Sequence, residues 1–207
     1  MRMNVYIDAF NLYYGAVKDT PYRWLDLDAL CRRLFPRDEI NRIRYFTAIV
    51  SARPSDPQQP QRQQTYLRAL RTIPNLSVHR GYYLSHPARM PLARPRRLGP
   101  KTVEVMKTEE KGSDVNLATF LLLDGFRSDY EVAAVISNDS DLKVPIEVVQ
   151  SELGLHVGVV NPHPAARRSR ALRGTFFKQL RPSALKACQF PRTLQDAQGR
   201  IRKPRSW

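Results

Sequence analysis

Asp8 closes the apolar run VYID and is followed three positions on by Asn11. Asp114 lies in EEKGSDV, behind Glu109, Glu110, Lys111 and Gly112. Asp139 and Asp141 flank Ser140 in ISNDSDL. Each stretch sets a carboxylate at or near the expected end of a short strand. In an open α/β sheet the carboxyl ends of the strands are where ligands bind. Carboxylates crowded there repel one another unless a hard cation lies between them. The chain carries 34 Lys and Arg against 19 Asp and Glu, a net charge of +15. A polyanion is the fitting partner for such a surface. Acids that hold a metal inside a basic protein point to phosphodiester chemistry.

Each acid also has a local role open to it. Asp8 can cap a helix that begins near Phe10, and Asp114 can cap the apolar helix that follows it. One acid of the Asp139–Asp141 pair is accounted for by capping, where negative charge at a helix N-terminus contributes about 0.3–1 kcal/mol. Capping does not account for two acids and Asn138 in one turn. Gly112 allows a tight turn before Asp114, and Lys111 can balance the acids or meet a phosphate. Glu109 and Glu110 read as a pair that is at least partly solvated.

The elements that must position these residues alternate. Strands are expected at 3–8, 42–50, 76–84, 102–107, 132–136 and 156–160. Helices are expected at 26–34, 61–72, 114–126 and 142–153. Asp26 is a natural N-cap, with Leu27, Leu30 and Leu34 on one face of its helix. The run VAAVI at 132–136 is apolar throughout, as a central parallel strand is. Alternation of this kind predicts an α/β fold, with helices on both faces of a mainly parallel sheet joined by right-handed crossovers.

Two regions are set apart by composition. Residues 86–101 carry Pro87, Pro91, Pro95 and Pro100 with Arg89, Arg94, Arg96, Arg97 and Lys101, and no acid. They read as an extended loop inserted between core elements. Residues 186–207 are rich in Arg and Lys and read as a partly disordered basic tail after a domain spanning 1–185. The chain shows neither a signal peptide nor an apolar run near the roughly 20 residues of a membrane helix. With only Cys31 and Cys188, it reads as a cytoplasmic protein with reduced thiols.

Taken together, VYIDAFN, EKGSDV and ISNDSDL resemble the three acidic motifs of NYN-domain proteins, within the PIN-like nuclease superfamily. The resemblance spans residues 3 to about 160 in order. It implies a three-layer α/β/α PIN-like fold and Mg²⁺- or Mn²⁺-dependent endonucleolytic cleavage of RNA. Asp8, Asp114, Asp139 and Asp141 match the family's metal-binding acids. Asn11 and Lys111 match its associated polar positions. The segment 165–177, with Ser169, Leu172 and Phe176, resembles the element that closes such domains. Asn138 departs from the pattern, since the family usually has Gly between the Ser and the first Asp of the last motif. Asn tolerates positive φ better than most residues and could add a polar group over the site.

RNA would be held by Arg89, Arg94, Arg96 and Arg97 and by Arg167, Arg168, Arg170 and Arg173, through phosphate contacts that carry no sequence readout. Tyr13, Tyr14, Tyr82 and Tyr83 are candidates for stacking on bases, with core or rim packing as the alternative. His79, His86, His156 and His163 read as structural or surface residues. An RNA-binding module of the same fold without turnover is the main alternative. An aspartyl-nucleophile phosphatase using Asp139 is a third reading, weakened because the first strand offers only Asp8 and Asn11. A homodimer formed through a sheet edge or the Arg-rich tail is compatible with the chain.

Overall fold

A computed structural model describes every residue except Arg96, so that position, one of those assigned to RNA, lies outside the described residues. The chain opens on β1 (Arg2–Asp8), whose side chains alternate between two helical layers. Met3, Val5 and Ile7 enter one apolar cluster and Tyr6 enters the other. This is the period-two geometry of a strand covered on both faces. Strands β2 (Glu39–Thr47), β3 (Leu76–Arg80), β6 (Val132–Ile136), β7 (His156–Asn161) and β8 (Phe176–Gln179) complete a six-stranded sheet in the order β3-β2-β1-β6-β7-β8. All its pairings are parallel.

On the Met3 face lie α1 (Ala9–Leu12), α2 (Leu27–Leu34), α3 (Gln59–Leu70) and α6 (Pro182–Ala187). On the Tyr6 face lie α4 (Ser113–Phe126) and α5 (Lys143–Glu152). Asp26 caps α2 as expected, accepting from the Asp28 and Ala29 backbone N–H groups at 3.0 and 3.1 Å. The fold class is therefore the α/β layering that the alternation predicts. Strand order reverses between β1 and β6, so the crevice beyond their carboxyl ends is the sheet's switch point.

Three expectations are corrected. The first concerns residues 86–101, which are not simply an extended loop. β4 (Tyr82–Pro91) and β5 (Thr102–Lys111) pair antiparallel over their full lengths and form a hairpin arm apart from the main sheet. Its prolines are tolerated because a two-stranded ribbon is all edge. The single strand expected at 76–84 breaks at Gly81, where a Cβ would stand 2.3 Å from both the Lys111 carbonyl and Glu110 Oε1. Glycine is thus required where the arm leaves the sheet.

The second concerns residues 186–207, which are not a loose tail. β9 (Thr193–Asp196) and β10 (Gly199–Arg202) form a hairpin that buries Ile201. Trp24 Nε1 donates to the Pro191 carbonyl at 2.8 Å, and Trp207 packs 5.7 Å from Tyr66 and 6.3 Å from Trp24. Arg68 clamps Asp196 through paired hydrogen bonds of 2.6 and 2.5 Å. Abundant arginine masks the few apolar anchors in this segment. The third correction adds β8, a four-residue edge strand not anticipated within the closing segment.

Cys31 and Cys188 are buried and unpaired. Among the described residues no helix is long and apolar enough to cross a membrane.

Candidate functional site

Asp8 ends β1 at the switch point and is 4% exposed. It also caps α1, the local role open to it from the sequence. Its Oδ1 accepts the Asn11 backbone N–H at 3.0 Å, and its Oδ2 accepts Asn11 Nδ2 at 2.6 Å and Ser137 Oγ at 2.9 Å. Burial pushes the Asp8 carboxyl up. The hydrogen bonds from Asn11 and Ser137 oppose that rise, and the charge of Asp139 adds to it.

Asp139 follows β6 across the crevice. Its backbone N–H donates to Ser137 Oγ at 3.1 Å, and its Oδ1 accepts the Asp141 N–H at 3.0 Å. Ser137 therefore ties Asp8 and Asp139 into one hydrogen-bonded turn. Asp141 is exposed and starts the short 3₁₀ turn Ser140–Leu142.

Asp114 lies in the first turn of α4, behind Gly112 in the left-handed conformation (φ 94°). Burial, then the charges of Asp8, Asp139, Glu110 and Asp141, push its carboxyl up to about 7. Among the described residues no hydrogen bond offsets this. The structure thus brings Asp8, Asp114, Asp139 and Asp141 within electrostatic reach of one another. Lys111 Nζ lies 3.5 Å from Glu109 Oε2 and makes no salt bridge to these four acids among the described residues.

Three residues in or beside the site were not singled out by the sequence. Glu110 accepts from the Ser113 N–H at 3.1 Å and from Ser113 Oγ at 2.6 Å. The Glu-x-x-Ser spacing before a helix was the available signal. Ser137 was passed over beside three more polar neighbours. His163, read as structural or surface, donates from Nε2 to Asn11 Oδ1 at 3.2 Å, and the same oxygen accepts the Asn138 N–H at 3.2 Å. That pairing spans 152 positions, and nothing local announces it.

Among the described residues Ser128 is the non-glycine one with positive φ (53°), and Asn138 does not adopt it. Its side chain instead clamps the basic loop beside the site. Nδ2 donates to the Arg167 carbonyl at 2.8 Å, and Oδ1 accepts the Ser169 N–H at 2.7 Å. Arg167, Arg168 and Arg170 are exposed on that loop, with the Arg168 guanidinium 3.5 Å above the Phe177 ring. Arg173 is exposed farther along. Arg89, Arg94 and Arg97 stand on the hairpin arm, with Arg89 opposite Glu104. The two arginine groups therefore belong to separate elements.

Among the tyrosines, Tyr14 and Tyr82 are exposed. Tyr83 packs edge-to-face on Phe10 at 6.1 Å, and its hydroxyl is pushed up to about 12 by burial first. On the β2 side of α1 a cavity of about 80 Å³ is lined by aromatic residues that include Tyr13, Tyr45, Tyr66 and Trp207.

Among the described residues no three His, Cys, Asp or Glu side chains are arranged to hold a metal directly. Mg²⁺ usually keeps several waters and takes one or two carboxylates. Asp114, without a hydrogen-bond partner, and Asp139, beside it, make an all-oxygen set that fits such a hydrated ion. Asp8 is largely occupied by its own hydrogen bonds and fits an orienting place.

The sequence profile of the NYN domain matches residues 2–179. The chain belongs to the NYN domain family. A curated relative, the 6-hydroxy-3-succinoylpyridine 3-monooxygenase of Pseudomonas putida (strain DSM 28022 / S16), is 29% identical over 236 aligned residues. The alignment covers 100% of this chain and 75% of the relative. A crystal structure of a Vibrio parahaemolyticus protein of unknown function superposes with a TM-score of 0.56 at 17% identity. It covers 87% of this chain and 93% of that one, a likeness of fold. The NYN domain carries the PIN-like nuclease architecture, a family generally of nucleases that typically use divalent metals.

Proposed function

We propose that this NYN-domain protein is a divalent-metal-dependent endoribonuclease whose reaction centre lies between Asp8, Asp114 and Asp139. The observation that carries the reading is Asp114, crowded by the charges of Asp8, Asp139, Glu110 and Asp141 and paired with no cation among the described residues. Such an arrangement is costly in itself and is relieved when positive charge enters.

When bound, Mg²⁺ or Mn²⁺ supplies an activated water and neutralises charge on the phosphate. The chain's own residues hold the rest in place. Asn11 and Ser137 fix the Asp8 carboxylate, and His163 fixes the Asn11 amide. Asn138 seats the basic loop, so that Arg167, Arg168 and Arg170 can meet phosphates flanking the cleaved bond. The test is cleavage of end-labelled single-stranded RNA with Mn²⁺, with EDTA, and with Asp114→Asn or Asp139→Asn. Cleavage lost in the last three supports the reading. RNA that is bound but left intact under every condition points to a binding module of the same fold.

A second reading follows from the relative's name. That protein is named for oxygenation of a hydroxypyridine, and the aromatic cavity beside Asp8 is of a kind that accepts small rings. On this reading one atom of O₂ enters the ring, the other leaves as water, and a two-electron reductant such as a reduced nicotinamide is consumed. Consumption of reduced nicotinamide that depends on a hydroxypyridine would favour it over RNA cleavage.

A further inference from the structure

The cavity on the β2 side of α1 takes no part in the acid chemistry proposed above, yet it has the features of a built site. Tyr13, Tyr45, Tyr66 and Trp207 contribute aromatic walls, and Arg23 and Arg62 contribute guanidinium groups. Its floor begins one residue after Asp8, with Ala9. Tyr13 opens a π-helical turn, Tyr13–Val17, that continues α1. Such turns are rare and are found frequently at functional sites.

Tyr45 supplies the independent observation. Its side chain is 7% exposed, and its hydroxyl makes no hydrogen bond to any described residue. It is not one of the enclosed side-chain polar atoms left without a partner, so the hydroxyl opens on the cavity, where a ligand or a water completes it. The neighbouring Tyr66 shows the ordinary case, donating to the Leu25 carbonyl at 2.8 Å.

The arginines give the cavity a sign. Arg62 is paired with Asp56. Arg23 donates from Nε to the Thr20 carbonyl at 3.2 Å and has no carboxylate within salt-bridge distance among the described residues. Both guanidinium charges act on the Tyr13 hydroxyl, opposing the rise that burial imposes. Asp19 adds to that rise, and both arginines line the cavity wall.

We propose that this cavity binds a single planar aromatic ring that carries an anionic arm. The ring lies among the tyrosines and Trp207, its polar edge meets the Tyr45 hydroxyl, and the anion meets Arg23 and Arg62. Aromatic faces favour a flat π-system, and guanidinium favours carboxylate or phosphate. Two sources share this chemistry: the base and phosphate of one nucleotide, and a free heteroaromatic acid. The inference goes beyond the nuclease reading, since it concerns binding and stands without turnover.

Both tryptophans of the chain lie at this place, Trp207 in the cavity wall and Trp24 packed 6.3 Å from it. Their fluorescence reports occupancy directly. The full chain in EDTA is titrated with adenosine 5′-monophosphate, uridine 5′-monophosphate, adenosine, ribose 5-phosphate and 6-hydroxynicotinate. Saturable quenching is expected from the compounds that combine ring and anion. Arg23→Gln should weaken binding about tenfold and Tyr45→Phe about threefold to tenfold. Tyr45→Phe removes an unpartnered hydroxyl, so its urea midpoint should equal that of the parent, separating lost binding from lost fold. Tighter binding of the nucleotides assigns the cavity to a base of RNA, and tighter binding of 6-hydroxynicotinate assigns it to a free acid. The proposal is overturned if ribose 5-phosphate binds as well as the ring compounds, or if both variants bind like the parent. RNA cleavage measured on the same variants keeps this outcome distinct from the fate of the acid site.

Discussion

Helix α4 carries one aspartate in its first turn and one in its last, and the two live in opposite surroundings. Asp124, in its last turn, is 2% exposed and fully matched. Arg44 donates to it from Nε at 2.6 Å and from Nη2 at 2.7 Å, and the Tyr6 hydroxyl donates at 2.7 Å. The same guanidinium lies 4.4 Å from the Phe120 ring and 3.1 Å from His79 Nε2. His79 is pushed down to about 4, by burial first and then by the Arg44 charge, so it stays neutral there. Asp114, in the first turn, is acted on by the charges of Asp8, Asp139, Glu110 and Asp141 and has no salt-bridge partner among the described residues. One end of the helix is a closed electrostatic circuit that locks α4 to β1 and β2. The other is left open, and that imbalance marks where an external cation and its polyanion would fit. Charge alone separates the two ends less than pairing does.

The comparison is broken most forcefully at the closed end. Asp124→Ala leaves Arg44 buried without its partner and should cost about 3–5 kcal/mol in urea unfolding. A loss under about 1 kcal/mol would mean that the network does not hold the helix.

At the open end, Asp8→Asn should lower Mn²⁺-dependent RNA cleavage by about 10²–10³-fold, with an unfolding midpoint lowered less than that of Asp124→Ala, since asparagine keeps one of the two oxygens that accept from Asn11 and Ser137. Unchanged cleavage would remove Asp8 from the reaction centre.

A smaller effect is a dependence on pH in the metal-free protein. The folded-state value of Asp114, about 7, lies above its ordinary value of 3.8, and Asp8 is shifted in the same direction. The folded protein therefore holds protons that the unfolded chain releases. The resulting stability is fully present below about 3.8 and is lost as pH rises through about 7. Between pH 5.5 and 8.5 in EDTA, Tm should fall by on the order of 2–4 °C, what about 1 kcal/mol moves in a chain of this size. Mn²⁺ should restore it at pH 8.5, and Asp114→Asn should flatten the profile. A flat profile in the parent would show that the acids do not crowd one another.

The smallest change is expected from Asn138→Ala, which frees the 167–170 loop without touching the acids. KM for RNA should rise about threefold to tenfold with kcat nearly unchanged. An equal loss in kcat would place Asn138 in the reaction itself.

Much of this architecture is legible in the sequence where the physics is local. The strand 3–8 is a short, largely apolar run, Asp26 stands where a cap must, and VAAVI has the pure apolar character of a buried parallel strand. The order of the acid motifs places them at one sheet edge before any coordinates exist. What is hidden depends on distant partners. Pro87 and Pro91 make β4 read as a loop, and only its pairing with Met106 and Thr102 shows a ribbon. Ile201 and Trp207 look incidental among arginines until Tyr66 and Trp24 are seen behind them. Lys111 is adjacent to the acid motif in sequence, yet the pleat directs it to Glu109. His163 and Asn138 gain their roles from loops that meet only in three dimensions.

The position of β1 between β2 and β6 has a practical consequence. A single scission in the 92–101 connection would yield a first half with β1–β4 and Asp8, and a second with Asp114 and Asp139. In the main sheet the two halves share one seam, β1 against β6, reinforced by the β4–β5 ribbon and by Trp207 on Trp24. Neither half carries the whole acid set, so reconstituted turnover would require their reunion. The protein is in effect pre-divided as a split reporter, with its complementation boundary running through the place where the chemistry is proposed to occur.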